Sequence, residues 1–236
     1  MFFDSYYLIF VVPALILSLW AQFKVKSAFS KYSKIGTKKA LSGTEAAALI
    51  MKRNGISDVT IQPIAGNLTD NYNPSKKTLN LSQPVIYSRS ISAVGVAAHE
   101  TGHAIQDKVG YGPLVLRSML VPAANIGSRF GPAMAIIGLV LGAQSGSSTW
   151  NWLVDLGLML FAVAVLFYLI TLPVEFNASH RALVNLKESG MLNEDELAGV
   201  REVLTAAAMT YVASALTAIG NFIRLLLISN NRRRRD

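Results

Sequence analysis

Residues Ala97 to Asp107 read AAHETGHAIQD and hold two of the three histidines in a chain of 236 residues. On a helix four residues turn through about 400°, so His99 and His103 project from one face, one above the other. Two imidazoles placed in this way can grip a single metal ion, and Glu100, next in sequence, can reach a water on that ion. The chemistry written by this triplet is hydrolysis: zinc activates the water and polarises a peptide carbonyl, while Glu100 takes the proton and passes it to the leaving amine. The plainer reading makes these core or surface histidines beside a solvated glutamate. The small neighbours Ala97, Ala98, Gly102 and Ala104 oppose it, because they leave room for another segment or a substrate to come close.

A catalytic zinc site takes three protein ligands and keeps a fourth position for water. The chain has no cysteine, so the third ligand is not a thiolate. Glu175, His180, Asp107 and Asp70 are the candidates. Asp107 lies one turn beyond His103 on the same helix, too far along it to close a tetrahedron, and Asp70 falls in a stretch of turn composition. Glu175 is preferred, standing just after Pro173, with His180 behind it. The two are five residues apart, about 140° around a helix, and do not readily share one metal.

Membrane segments are what bring these distant residues together. The composition, 52% hydrophobic against 15% charged, is too apolar for an ordinary soluble protein. Residues 5–23, 119–143 and 152–174 are each long and apolar enough to cross a hydrocarbon core as a helix. The first reads as a retained anchor rather than a cleaved signal, because Asp4 stands where a basic region belongs. Lysines 24, 26, 31, 34, 38 and 39 follow it and mark the inner side, which puts the amino terminus outside and residues 24–118 in the cytoplasm. The loop Gln144 to Asn151 carries no Lys or Arg, as an outward loop should. The hairpin of the second and third spans therefore returns Glu175 to the face that holds His99 and His103.

The remaining sequence supplies soluble elements. Ser42 to Gly55 reads as a capped helix, DVTIQPIAG and TLNLSQPVIY as short strands around a turn-rich NLTDNYNPSKK, and about Ser90 to Lys108 as the motif helix ended by Gly110. Glu175 to Gly190 is expected to be helical, and Asn193 to cap the helix after it. Val203 to Ile228 is long enough to span, yet Arg224 would lie inside it and Arg232 to Arg235 outside, against the charge rule. Val203 to Ile228 is therefore favoured as a buried helix that continues into an interfacial anchor, with a fourth span as the alternative; residues 175–228 then hold the catalytic-domain helices with the third ligand, and 229–236 a basic tail. The net charge of +8 reads as topology determinants and lipid contacts. No nucleic-acid partner is expected, for want of an aromatic and basic platform.

HETGH, a transmembrane pair and then EFNAS resemble the gluzincin arrangement of membrane zinc metalloproteases such as HtpX and the CAAX prenyl endoproteases. LTDNYNPSKKTLNLS, VAAHETGHAIQD, LPVEFNASHRAL and VLTAAAMTYVASAL are closer still to the bacterial neutral zinc metallopeptidases of the YugP-like family, in order and over most of the chain. The resemblance implies a cytoplasm-facing endopeptidase of the bacterial plasma membrane, with Zn2+ on His99, His103 and Glu175 and with Glu100 as base. One departure is Ser179, where HtpX-type enzymes carry an aspartate; a serine can still orient an imidazole. The fold expected is an α-helical integral membrane protein with a mainly α, small-β, zincin-like cytoplasmic domain, its motif helix and third-ligand helix linked by the transmembrane hairpin.

Two further segments have a functional and a plain reading. TLNLS, Thr78 to Ser82, is either an edge that pairs with an extended substrate or an interior strand. Tyr211 is either an oxyanion donor or a core tyrosine. Arg181 and Arg201 read as structural pairing residues, and Asn71 and Asn73 as turn formers. The expected partners are a peptide or membrane-protein substrate and the lipid bilayer. A metal transporter or sensor would want ligands inside the spans, where only Asn125, Arg129 and Asp155 interrupt the apolar runs, and a silent scaffold would have no use for Glu100.

Overall fold

The computed structural model describes residues 4–145 and 148–233. Parts of the expected outward loop (146–147) and of the basic tail (234–236) lie outside the described residues. Its helices are α1 (Val12–Ser33, entered through a π-helical turn at Tyr7–Val11), α2 (Gly43–Arg53), α3 (Gln83–Ile86), α4 (Ile91–Lys108), α5 (Gly112–Ser145), α6 (Asn151–Glu188) and α7 (Glu194–Arg233). Three short strands, β1 (Thr60–Ile64), β2 (Asn71–Asn73) and β3 (Thr78–Ser82), lie between α2 and α3. The protein is mostly α with a small sheet, and among the described residues four helices are long and apolar enough to span a membrane.

The chain forms two compact units. The first comprises residues up to Trp20, Leu116–Leu172 and Tyr211 onward. Within it α5 and α6 meet at glycines: a side chain on Gly131 would run into Phe161 and the Gly157 carbonyl, and one on Gly157 into the Ala135 amide. Backbones this close need small residues, as membrane helix pairs do generally. Ala135, Leu139, Val154, Leu158, Phe161 and Leu225 fill the interior.

The carboxy-terminal segment overturns the favoured reading. Instead of leaving a buried helix for an interfacial anchor, α7 runs unbroken for 40 residues. Its second half lies antiparallel to the first span: Thr217 meets Ser18 (Oγ to Oγ1 3.3 Å), Gly220 abuts the Phe10 carbonyl, Arg224 pairs with Asp4 (2.7 Å), and Asn231 donates to the Tyr6 hydroxyl (2.6 Å). It is the fourth span. Arg224 does not count against this, because its guanidinium is neutralised by Asp4 and lies over the Tyr7 ring at 5.3 Å. Arg232 is held too, donating to the Leu139 carbonyl at 2.8 Å.

The second unit, Ala21–Val115 with Pro173–Thr210, contains the motif helix. Ser42 and Glu45 make a capping box that starts α2, and Asn193 with Glu196 does the same for α7. Ser90 caps α4 through the Ala93 amide (3.2 Å). One core cluster joins α2, α4, α6 and α7 through Ile50, Val94, Ala98, Leu186, Val200 and Leu204. Burying each of the larger of these side chains contributes about 1.5–3 kcal/mol. A second cluster lays Leu79 and Leu81 of β3 and Val85 of α3 against Ala93 and Ala97 of α4.

In the sheet the strand order is β1-β3-β2, with β1 parallel and β2 antiparallel to β3. Thr78–Ser82 is therefore the central strand, with four of its five residues buried, and its edge-strand reading is corrected. An edge is instead formed by Asn71–Asn73, inside the stretch read as turn. The turn chemistry is real but sits at the strand's end, where the Asn73 carboxamide oxygen accepts from Lys76 N at 3.0 Å. α6 also differs in extent: the third span and the following helix are one element, running through Pro173.

Asp4→Asn should destabilise the detergent-solubilised protein, because it leaves the Arg224 cation without its partner. The double change Asp4→Leu, Arg224→Leu should cost less, since breaking a desolvated pair is worse than removing it. Thermal unfolding followed by circular dichroism checks the ranking.

Candidate metal centre

His99 and His103 stand on α4 because Ser90 and Gly110 bound that helix and its Ala- and Gly-rich face lets other elements close on it. Glu175 comes from α6. The two helices nearly touch at Gly102, where an added side chain would lie 2.5 Å from the Ala178 carbonyl oxygen. That contact draws the ligand-type atoms of His99, His103 and Glu175 to within 4.8 Å of one another. Glu175 Oε2 lies 3.2 Å from His99 Nε2 and 3.5 Å from His103 Nε2. Ligands about 2.0–2.2 Å from one zinc at tetrahedral angles stand roughly 3.3 Å apart, so the spacing and the N, N, O donor set fit that ion. The rings are nearly perpendicular, at 85° with centroids 4.9 Å apart, and so present their edges rather than stacking.

Burial and hydrogen bonding fix these side chains. Glu175 is 2% exposed and His103 7%. His99 Nδ1 lies 3.1 Å from Ser179 Oγ, so the serine stands where it can orient the imidazole. His103 Nδ1 meets Gln106 Oε1 at 2.9 Å. Gln106 is fully buried, and its amide nitrogen donates to the Val174 carbonyl (2.8 Å) and to Asn177 Oδ1 (2.9 Å). With both of its N–H groups used, Gln106 offers His103 only an acceptor. This places the proton on Nδ1 and leaves the Nε2 lone pair facing Glu175. Asn177 Oδ1 also accepts from Arg181 Nε at 2.7 Å, so Arg181 is a structural partner here. Gln106 and Asn177 were not among the sequence candidates; the one available signal is that Gln106 follows His103 by three residues on the same helix.

Glu100 feels the charges of the same three residues. Burial pushes its carboxyl above the ordinary carboxylate range, and His99 and His103 draw it back in part. Its Oε2 accepts the backbone N–H of Tyr72, on β2, at 3.1 Å.

The other proposed ligands go elsewhere. Asp70 accepts from the amide and hydroxyl of Ser82 (2.7 and 2.9 Å). Asp107 accepts from the Tyr72 hydroxyl and Lys77 Nζ, both at 2.6 Å. His180 is exposed and outside the cluster, and Arg201 is exposed on α7. Tyr211 is half-buried on α7.

Four spans and a His-His-Glu cluster on and beside the helix that carries Glu100 define a multi-pass membrane metallohydrolase of the zincin type. The comparisons are more specific: residues 7–230 match the model of a family described as "Putative neutral zinc metallopeptidase", and the chain belongs to that family. It is 45% identical over 227 residues to a curated Bacillus subtilis (strain 168) protein, "Putative membrane protease YugP", covering 96% of this chain and 98% of that one. No solved structure matches it. Family membership replaces the transporter, sensor and scaffold readings.

Gly102→Val should press on the Ala178 carbonyl, at an overpacking cost of about 1–3 kcal/mol, and part α4 from α6. Zinc content of the purified protein should fall, whereas Gly112→Ala, where an added methyl meets nothing within 4 Å, should leave it unchanged.

Proposed function

We propose that this membrane-bound zinc endopeptidase holds its metal on His99, His103 and Glu175 and uses Glu100 as general base. The observation that carries the reading is the convergence of three ligand-type atoms within 4.8 Å, with the Glu100 carboxylate on the adjoining turn of the same helix. A zinc ion held there supplies Lewis acidity toward a water and a peptide carbonyl. Everything else is work for the chain. Ser179 and Gln106 hold the imidazoles with Nε2 inward, and Glu100 accepts the proton of the attacking water and returns it to the departing amine. The raised affinity of Glu100 for a proton suits both halves of that transfer.

The substrate is a peptide or a segment of a membrane protein, lying extended along β2. That strand is the open edge nearest Glu100, and an antiparallel pair turns the N–H and C=O of alternate residues outward. With its N–H on Glu100, Tyr72 presents its carbonyl as the outward acceptor for a substrate amide. Tyr211 is retained as a candidate oxyanion donor. The site faces the cytoplasm of a bacterial cell and the amino terminus lies outside. Support for this comes from the lysines after the first span and the uncharged loop after the second. On this reading residues 24–118 and 175–210 make the catalytic region, and the bilayer is a permanent partner.

Glu100→Gln should keep its zinc and lose cleavage of a casein probe by about 10²-fold or more; retained cleavage would remove the general-base assignment. Glu175→Ala should lower zinc stoichiometry far more than His180→Ala, measured by plasma emission on purified protein. The reverse ranking would move the third-ligand role to His180.

A further inference from the structure

We infer that Tyr72 is a positioning residue for Glu100, and that its phenol, locked on an Asp107 that Lys77 holds, is what sets its amide. The inference rests on the reading of Glu100 as base. Among the described residues the Glu100 carboxylate accepts one hydrogen bond, from Tyr72 N at 3.1 Å to Oε2. A glutamate has three side-chain torsions, so a fixed donor on one oxygen aims the carboxylate and leaves Oε1 open to take a proton. The donor is only as fixed as its strand. β2 is three residues long, lies at the sheet edge and is paired on one side alone.

The tyrosine side chain supplies the missing restraint. Its hydroxyl donates to Asp107 Oδ2 at 2.6 Å. Asp107 stands seven residues beyond Glu100 on α4, nearly two full turns or about 10 Å along the axis, and so on the same face. Tyr72 thus lies lengthwise along the helix, amide on Glu100 and phenol on Asp107, with the small Ala104 between. Burial and the Asp107 carboxylate hold the phenol protonated well above its ordinary range, which keeps it a donor. Lys77, at the start of β3's approach, bonds the same Asp107 oxygen at 2.6 Å and stands 3.6 Å from Asp58, so the carboxylate itself is pinned. The lock borders a cavity of about 300 Å³ lined by Asp58, Tyr72, Lys77, Ala104, Asp107 and Lys108. Losing one hydroxyl there admits water rather than leaving a sealed void.

The test uses the full-length enzyme in detergent with fluorescein-labelled casein. Tyr72→Phe and Asp107→Ala should each lower kcat by about 10- to 100-fold, the cost of a misaimed catalytic group, with KM for casein and zinc content unchanged. The double variant should be no slower than the worse single one, because both remove the same restraint. Asp107→Glu, which keeps an acceptor for the phenol, should recover part of the loss. Unchanged kcat, a loss carried by KM, a fall in zinc content that matches the fall in rate, or additive losses would each overturn the inference. Glu100→Gln separates the two levels: if it still cleaves casein the base assignment fails, and if it is inactive while Tyr72→Phe has full kcat only the positioning role fails.

Discussion

Three side chains that are to share one cation must bring their donor atoms within a few ångströms, and two of them here come from one helix while the third comes from another. Such convergence is possible only if the helix backbones almost touch, and Gly102 facing the Ala178 carbonyl is that touch point. The surrounding unit serves to hold α4 in place. α2 and α3 pack on one side of it, the sheet lies across Ala93 and Ala97, and Leu186 with Val200 closes the other side. Most neighbours of the motif are alanine, glycine or valine, because anything bulkier would push away the element bearing the third carboxylate.

Once the backbones are close, polar atoms that lose water need partners inside the protein. Val174, Asn177, Ser179 and Gln106 meet this need and at the same time choose an orientation for each imidazole. HtpX-type enzymes place an aspartate at the position of Ser179. A hydroxyl there offers a hydrogen bond without adding a negative charge beside the two histidines, and Glu175 Oε2 lies within 3.5 Å of both.

The legible parts of the fold were those carried by local rules. The motif helix, its Ser90 cap, the Ser42 capping box and the Asn193 cap follow from residues a few positions apart, and the three clear spans from uninterrupted hydropathy. The nearness of Glu175 to His99 and His103 was legible because chain topology narrows the choice. What escaped depends on partners distant in sequence. Arg224 looked like a charge no span would accept, until Asp4, 220 residues earlier, proved to be its counter-ion. β2 hid in turn composition because three residues are too few to show alternation, and the central place of β3 follows from a parallel pairing with β1 that no local pattern records. Asp107 read as a weak candidate ligand, and its true partners, Tyr72 and Lys77, lie 35 and 30 residues away.

The pairing of the first span with the last also orders assembly in time. A growing chain threads α1 into the bilayer long before α7 exists, and in that interval Asp4 and the hydroxyl of Ser18 lack the groups that later answer them. The bundle therefore stays open along one seam until α7 emerges, and α7 is the stave that closes it. Because α7 begins at Glu194, beside the metal-site helices, and ends along α1, its arrival completes both units in one event. A ribosome that stalls before residue 194 leaves behind an anchor with an exposed polar seam and a motif helix lacking Val200 and Leu204 at its back.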